Sequence, residues 1–521
     1  LTEDTFFNIL RATFIRNKIK RGEQMKKYIL AIDQGTTGST VLIFDNEGKI
    51  TGRGYKEFTQ IYPQPGWVEH NPEEIWETTV TVIQEALAAC QLNSQQIEAI
   101  GITNQRETTV IWDKKSGKPI HPAIVWQCRR TQQICEKLKK DGFSPLFQER
   151  TGLVLDAYFS GTKIQWLLDN VPQARKMAIN GDLLFGTIDT WLLWKLTGGK
   201  VHATDFTNAS RTLIFNIHEK KWDAELLHIL KIPSVLLPEV KNSSGLFGYT
   251  DCPEIFKTPV PIMGVAGDQQ SAMFGQCCWE AGMVKNTYGT GCFIMMNTGT
   301  NAIHSPNGLI TTIAVASDGK PCYALEGSVF IAGAAIQWLR DELKLINSAL
   351  ETEAIAQSVG HSNGVYLVPA FVGLGAPYWD MAARGLICGL TRGANRAHLV
   401  RAALESIAYQ TQDVVKIMAH DATIPIRELR VDGGAAANNF LMQFQADILN
   451  IPVDRPAVIE TTAMGAAFLA GLATGIWNSP AEMLKARQSE KKFIPAMDAK
   501  KRATLLSGWD EAVQMVLKKN N

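Results

Sequence analysis

No two of the nine cysteines stand at CxxC spacing, and their number is odd. Scattered from Cys90 to Cys388, they give no sign of a disulfide framework or a zinc site, and a reducing compartment, the cytoplasm, suits them best. Neither sign of charge dominates: 52 Lys plus Arg against 51 Asp plus Glu leave +1. A chain so balanced is not built to cover a nucleic-acid backbone, and no nucleic-acid partner is expected. The nine histidines fall at no metal-ligating spacing. No low-complexity tract or charge run marks a flexible tether. The one long uncharged stretch, Thr461 to Ala481, is alanine-rich and broken by Gly465, Gly471, Gly475, Asn478 and Pro480. It reads as a buried helix and a loop, so no membrane span is expected. In residues 1–24 the apolar residues precede Arg16, Lys18, Lys20 and Arg21, the reverse of a secretory signal. We read them as an extension upstream of the true start, outside the fold.

What is present is an ordinary globular balance, 45% hydrophobic and 20% charged over 521 residues, too long for one core. Tyr28–Asp33, Gln34–Ser39 and Thr40–Asp45 read as strand, turn and strand, an antiparallel hairpin with a second turn at Asn46–Gly48. Asn71 before Pro72, with Glu74 behind, marks a capped helix start, and Trp76, Val80, Ile83, Leu87 and Cys90 follow at helical spacing. A strand at Ala99–Thr103 then runs into Arg106 and Glu107. Strands and helices interleave, so the class is α/β. A similar opening recurs mid-chain, where Pro261–Gly267 runs into Asp268 and Gly282–Gly291 follows. Two domains are expected, 25–275 and 276–521, sharing a cleft and a hinge.

Three constellations carry chemistry. Asp33-Gln-Gly-Thr-Thr-Gly-Ser39, between two strands, offers backbone N–H and hydroxyl groups to an anion, with an acid placed to hold Mg²⁺ through water. It is neither a Walker A loop nor a GxGxxG turn. Read alone it is equally a polar hairpin turn in which Asp33 caps its own backbone. Gly267-Asp-Gln-Gln270 puts a second acid at a strand end; alone, it is equally a helix cap. Val431-Asp-Gly-Gly-Ala-Ala-Ala-Asn-Asn439 sets paired glycines after a strand, open to a planar ligand or to a turn capped by Asn.

In this order, the three resemble the arrangement of the actin-like ATPase superfamily. From Met25 almost to the C-terminus, the chain is similar to the sugar-kinase family named for its FGGY motif. Two signatures carry that likeness: Tyr158–Asn170, and Gly385–Leu390 continuing through His398-Leu399 to Ala402–Glu405. Gly101–Thr109, Ile124–Arg130 and Gly267–Gln270 resemble its glycerol-phosphorylating branch. The resemblance implies two actin-like (ribonuclease H-like) domains with the active site in the cleft between them. It implies ATP-dependent, Mg²⁺-assisted phosphorylation of glycerol to sn-glycerol 3-phosphate, the first step of glycerol catabolism, by a homodimer or homotetramer.

By the same resemblance, Arg106, Glu107, Tyr158, Asp268 and Gln269 hydrogen-bond the polyol, which fits chemically because hydroxyls both donate and accept. Trp126 and Phe293 pack its carbons, and Asp268 is the catalytic base. Thr36, Thr37 and Gly38 meet phosphates, and Asp33 the Mg²⁺. Thr290, Gly333, Gln337, Gly434 and Asn438 border the nucleotide. Thr40 stands where many members carry arginine, so a weaker grip on ATP is expected. Asp251–Thr258 lacks the glycines and arginine of the loop that binds fructose 1,6-bisphosphate in some bacterial members. Two alternatives stay open: a kinase of another polyol or ketose, and a nucleotide-gated switch protein indifferent to polyols.

Overall fold

The computed structural model describes residues 26–517; the reading of residues 1–24 as an extension lies outside the described residues. The first of two mixed sheets contains β1 (Tyr28–Gln34), β2 (Gly38–Phe44), β3 (Ile50–Glu57), β4 (Ile97–Asn104), β5 (Ser244–Tyr249) and β6 (Pro261–Gly267). Its order is β5-β6-β4-β1-β2-β3. β1, β2 and β3 pair antiparallel, as the hairpin reading expects, while β4 and β6 run parallel to β1.

The second sheet contains β7 (Val284–Tyr288), β8 (Cys292–Gly299), β9 (Ile310–Val315), β10 (Pro321–Val329), β11 (Leu429–Asp432), β12 (Val453–Pro456) and β13 (Ser489–Phe493). Its order is β9-β10-β8-β7-β11-β12-β13. β7 lies between antiparallel β8 and parallel β11, just as β1 lies between β2 and β4. The same layout is thus built twice. Pro261–Gly267, likened in sequence to a second opening, lies within the 25–275 expected of the first domain. It pairs parallel with β4 and belongs to the first sheet, and the second hairpin starts at β7. We keep the division near Gly275, the end of the helix Asp268–Gly275, as a proposal.

The helix Pro72–Ala89 is capped as its sequence suggests, Asn71 Oδ1 accepting from Glu73 N at 3.0 Å. Of the expected line Trp76, Val80, Ile83, Leu87 and Cys90, Ile83 and Leu87 are buried and the others partly so, and the buried face extends to Ile75, Thr79, Val82 and Ala86. The cause is β3, where a Cβ at Gly54 would stand 2.3 Å from the Val82 carbonyl oxygen. Glycine there lets the helix backbone settle onto the strand at Val82 and Ala86.

The uncharged stretch forms the helix Thr461–Thr474, buried from Ala463 to Gly471. It belongs to the second half of the chain yet packs on β1, β4 and β6 and on the helix Asp268–Gly275, joining Ile29, Ala31, Ala99, Ala266 and Phe274 in one apolar cluster. Among the described residues no helix is long and apolar enough to cross a membrane.

Candidate active site

Parallel pairing of β1, β4 and β6 brings their carboxyl ends to one edge, where ligands of open α/β sheets bind. Asp33 pairs with Thr103, and Asn104 with Gly267. The residues after them, the turn from Gly35, the Arg106-Glu107 pair and Asp268, therefore share one rim. Glu107 holds a left-handed backbone, φ 61°, a conformation disfavoured for a residue with a side chain. Its carbonyl accepts from Ser160 Oγ at 3.0 Å and Thr109 Oγ1 at 3.1 Å.

Arg106 is the hub. Its Nε lies 3.1 Å from Asp268 Oδ1, and its Nη1 donates to Gln270 Oε1 at 3.1 Å. Both terminal nitrogens clasp Glu326 of β10, at 2.6 and 3.1 Å. A second arginine, Arg211, donates from Nε to Glu107 Oε1 at 2.6 Å and from Nη2 to Glu326 Oε1 at 3.1 Å. Arg106, Glu107, Arg211 and Glu326 are all buried, so two guanidiniums and two carboxylates close a buried ring across the halves. Burial would raise the Glu326 pKa, but the Arg106 and Arg211 guanidiniums win and hold it at about 2. Glu107 stays above the ordinary carboxylate range because burial outweighs its arginines.

Arg211 lies over the rings of Tyr158 and Phe159, at 5.6 and 5.2 Å. Tyr158 meets Trp126 edge-on at 5.5 Å, and the Trp126 indole N–H donates to Thr36 Oγ1 at 3.0 Å. Lys163 donates to the Tyr158 carbonyl from the helix Ser160–Asn170 and secures that wall. A continuous line of contacts therefore runs from the hydroxyl-rich turn to the ionic ring. In the turn, Gly35 N donates to Gly38 O at 3.0 Å and Gln60 holds the Thr36 carbonyl at 3.1 Å. Gly38 is required there, since a Cβ would stand 2.8 Å from the Lys56 carbonyl oxygen. Thr37 is exposed. Phe293 pairs across β8 with Thr287 and Ser328, two residues along from the row Lys285, Met295, Glu326. It therefore shares a sheet face with Glu326.

Asp33 has its pKa pushed up to about 7, by burial first and by the Asp268 carboxylate second. Among the described residues no group of three or more His, Cys, Asp and Glu side chains is placed to hold a metal. A carboxylate destabilised as an anion by burial and by a second carboxylate still suits a hard cation that keeps most of its waters. Asp33 thus fits the Mg²⁺ expected of it.

On the second hairpin, the Gly289–Gly291 turn gathers the other candidates. Gly333 N donates to Gly289 O at 3.0 Å and Ala334 N to Thr290 O at 3.1 Å. A Cβ on Gly333 would lie 2.6 Å from that Gly289 oxygen. Gln337, one turn on in the helix Gly333–Asp341, is exposed on the same side. In the paired glycines it is Gly433 that is constrained, at φ 84° with a Cβ position 2.4 Å from Tyr288 O, whereas Gly434 opens onto free space. Asn438 uses its amide at both ends, accepting from Leu441 N at 2.9 Å and donating to Thr352 Oγ1 at 3.1 Å. It caps the helix Asn439–Leu449, as the turn reading allows.

Residues 28–275 match the N-terminal domain, and residues 284–474 the C-terminal domain, of the FGGY family of carbohydrate kinases. The chain belongs to that family. A glycerol kinase of Caldanaerobacter subterraneus subsp. tengcongensis is 61% identical over 494 residues, 95% of this chain and 99% of the relative. Glycerol kinase 2 of Thermotoga maritima is 59% identical over 491 residues, 94% and 99% of the two chains. In three dimensions it is similar to the crystal structure of Plasmodium falciparum glycerol kinase with ADP, TM-score 0.89 at 38% identity, covering 94% of this chain and 98% of that one. A gluconate kinase from Lactobacillus acidophilus, at 23% identity and TM-score 0.84 over 94% and 97%, shares the fold.

Sequence reasoning missed three charged residues of this FGGY kinase site: Arg211, Glu326 and Lys285. Glu326 had a signal, a lone acid inside the apolar run Cys322–Val329. Lys285, beside Asn286 before the second turn, had a weaker one. Arg211 sits in no motif and reaches the ring only because the chain from Asp205 folds beneath β4.

Proposed function

We propose that this chain transfers the γ-phosphoryl group of ATP to glycerol, giving sn-glycerol 3-phosphate and ADP, as a cytoplasmic enzyme of glycerol catabolism. The observation that carries the reading is the near full-length identity to glycerol kinases, 61% over 494 residues, in a chain whose rim gathers Arg106, Glu107, Asp268 and Gln269. Arg106 and the Gln269 amide offer donors, Glu107 and Asp268 offer acceptors, and Tyr158 and Trp126 wall the carbons; a polyol hydroxyl needs both kinds of partner. The terminal hydroxyl passes its proton to Asp268 as its oxygen bonds to the γ-phosphorus and the bridging β,γ P–O bond breaks, leaving ADP. Arg106, 3.1 Å from Asp268, holds that carboxylate in line. Thr36, Thr37 and Gly38 cradle phosphates from the first half, while Thr290, Gly333, Gln337, Gly434 and Asn438 flank the nucleotide from the second. Asp33 would hold Mg²⁺ through water, where the ion neutralises phosphate charge. Closing the halves excludes water that would compete with glycerol. The family's oligomers make a homodimer or homotetramer our expectation.

ADP release from Mg-ATP tests the reading, with glycerol, with larger polyols and ketoses, and with no acceptor. Turnover with glycerol supports it. Preference for another sugar moves the specificity, and acceptor-independent hydrolysis removes the kinase.

A further inference from the structure

Lys285 is buried in β7, and among the described residues no carboxylate forms an ion pair with it. Its Nζ donates instead to Gln269 Oε1 and, at 2.9 Å, to Thr287 Oγ1. An ammonium without an ion partner is costly to bury. Burial accordingly lowers its pKa, against the pull of Asp432 and Asp268. The two hydrogen bonds are what this cation receives in return, and one of them goes to a candidate substrate residue.

A carboxamide has distinct ends, and its orientation follows from its partners. An ammonium never accepts, so it selects Oε1 of Gln269 and turns the Nε2 donors away from itself. Gln269 follows Asp268 at the start of the helix Asp268–Gly275, at the rim where β6 ends. We propose that Lys285 is a positioning residue that locks Gln269 as a hydrogen-bond donor toward the acceptor substrate. This rests on reading Gln269 as a polyol contact. Lys285 and Glu326 lie in one cross-strand row of the second sheet, through Met295. From that row Glu326 grips Arg106 and Lys285 grips Gln269, so the second half of the chain sets both donors of a pocket whose hydrogen-bonding residues come from the first.

The test uses the full chain and four steady-state profiles: wild type, Lys285→Met, Gln269→Ala and the double variant. Lys285→Met should raise KM for glycerol about tenfold or more while KM for ATP stays within about twofold. In the Gln269→Ala background it should add nothing, because both changes remove one interaction. Lys285→Gln, whose amide can donate to Gln269 Oε1, should recover most of the loss. A glycerol KM for Lys285→Met within about twofold of wild type overturns the proposal, as do losses that multiply in the double variant. If Lys285→Met does not fold, Lys285→Gln against wild type decides: a loss as large as that of Gln269→Ala overturns it. A wild-type chain inert toward glycerol removes the parent reading, a result seen before any variant is compared.

Discussion

Two of the contacts between the halves of the chain are of opposite character. On the hinge side the helix Thr461–Thr474 lies backbone to backbone on its neighbours: a Cβ at Gly465 would stand 1.8 Å from Ser271 O, and one at Gly101 2.1 Å from Ala466 O. On the cleft side Glu326 reaches between Arg106 and Arg211. The first contact is close-packed small residues, whose worth lies in excluded water and dispersion. The second takes charges out of water, and such rings often add little net stability. A ring of that cost, centred on Arg106 and Glu107, is explained better by geometry than by stability. The hinge determines where the halves join, and the ring determines the shape of the pocket.

The largest effect should come from the hinge. Gly465→Ala drives a methyl into the Ser271 carbonyl, and neither helix has a flexible side chain there to give way. Overpacking of this kind costs about 1–3 kcal/mol or more, and with backbone on both sides we expect the upper end. Thermal unfolding would read it, and an unchanged Tm would show that the helix can slide.

On the cleft side two variants separate chemistry from shape. Asp268→Asn should cut kcat by about two to four orders of magnitude and leave ATP affinity within about tenfold, since Arg106 keeps Glu326 and Gln270. Retained turnover removes Asp268 as the base. Glu326→Gln leaves two buried guanidiniums short of a counter-charge, so it should cost about 3 kcal/mol of stability and about 100-fold in kcat/KM through misplaced Arg106. If it lowers Tm with kcat/KM intact, the ring is structural and the contrast between the contacts collapses.

Much of this contrast lay outside the sequence. The hairpin, the Asn71 cap, the buried helix after Thr461 and the rim acids were legible because each depends on neighbours in the chain: turn glycines, a capping side chain, an uncharged run. The place of the Pro261–Gly267 strand in the first half was expected, but not the strand it lies beside, because local pattern says nothing of pairing. The stripe of the helix Pro72–Ala89 was legible in part: Ile83 and Leu87 are buried as expected, while Gly52 and Gly54 on another strand bring Val82 and Ala86 into the contact. Arg211 and Glu326 were missed for the same reason: a buried charge is defined by its partner, and theirs are distant in the chain.

Two buried carboxylates extend the comparison to pH. Asp413 accepts from Trp509 Nε1 at 2.8 Å and Tyr378 OH at 2.9 Å, but among the described residues no cation forms an ion pair with it, and burial pushes its pKa up to about 7 from 3.8. The folded chain therefore binds that proton more tightly than the unfolded one. Its contribution is full below about pH 4 and is lost as pH rises through about 7. Glu326 has the opposite sign: with its pKa held at about 2 against 4.5, its contribution is present above about pH 4.5 and is lost as pH falls toward 2. Asp413→Asn should flatten the upper limb of the stability profile by about 2 kcal/mol between about pH 5 and 8, while Glu326→Gln flattens only the acid limb. Chemical denaturation across pH checks both, and an upper limb unchanged in Asp413→Asn assigns it to another group.

The smallest effect belongs to a site outside both contacts. Thr40 is the cross-strand partner of Asp33, so its side chain leaves the sheet on the same side as that carboxylate, beside the hydroxyl-rich turn. An arginine there could reach a nucleotide phosphate, and a charge-assisted hydrogen bond at this half-exposed position should tighten ATP binding about fivefold. Asp33 competes for the same guanidinium. If Asp33 captures it, nucleotide affinity stays flat or falls, and the inference drawn from the missing arginine is wrong. In either case Thr40→Arg touches neither the Gly465 contact nor the Glu326 ring, so Tm and the glycerol KM should hold. A shift in glycerol KM would mean that the phosphate turn is coupled to the ring through Thr36, Trp126 and Tyr158, and that the cleft contact extends further than the charges that define it.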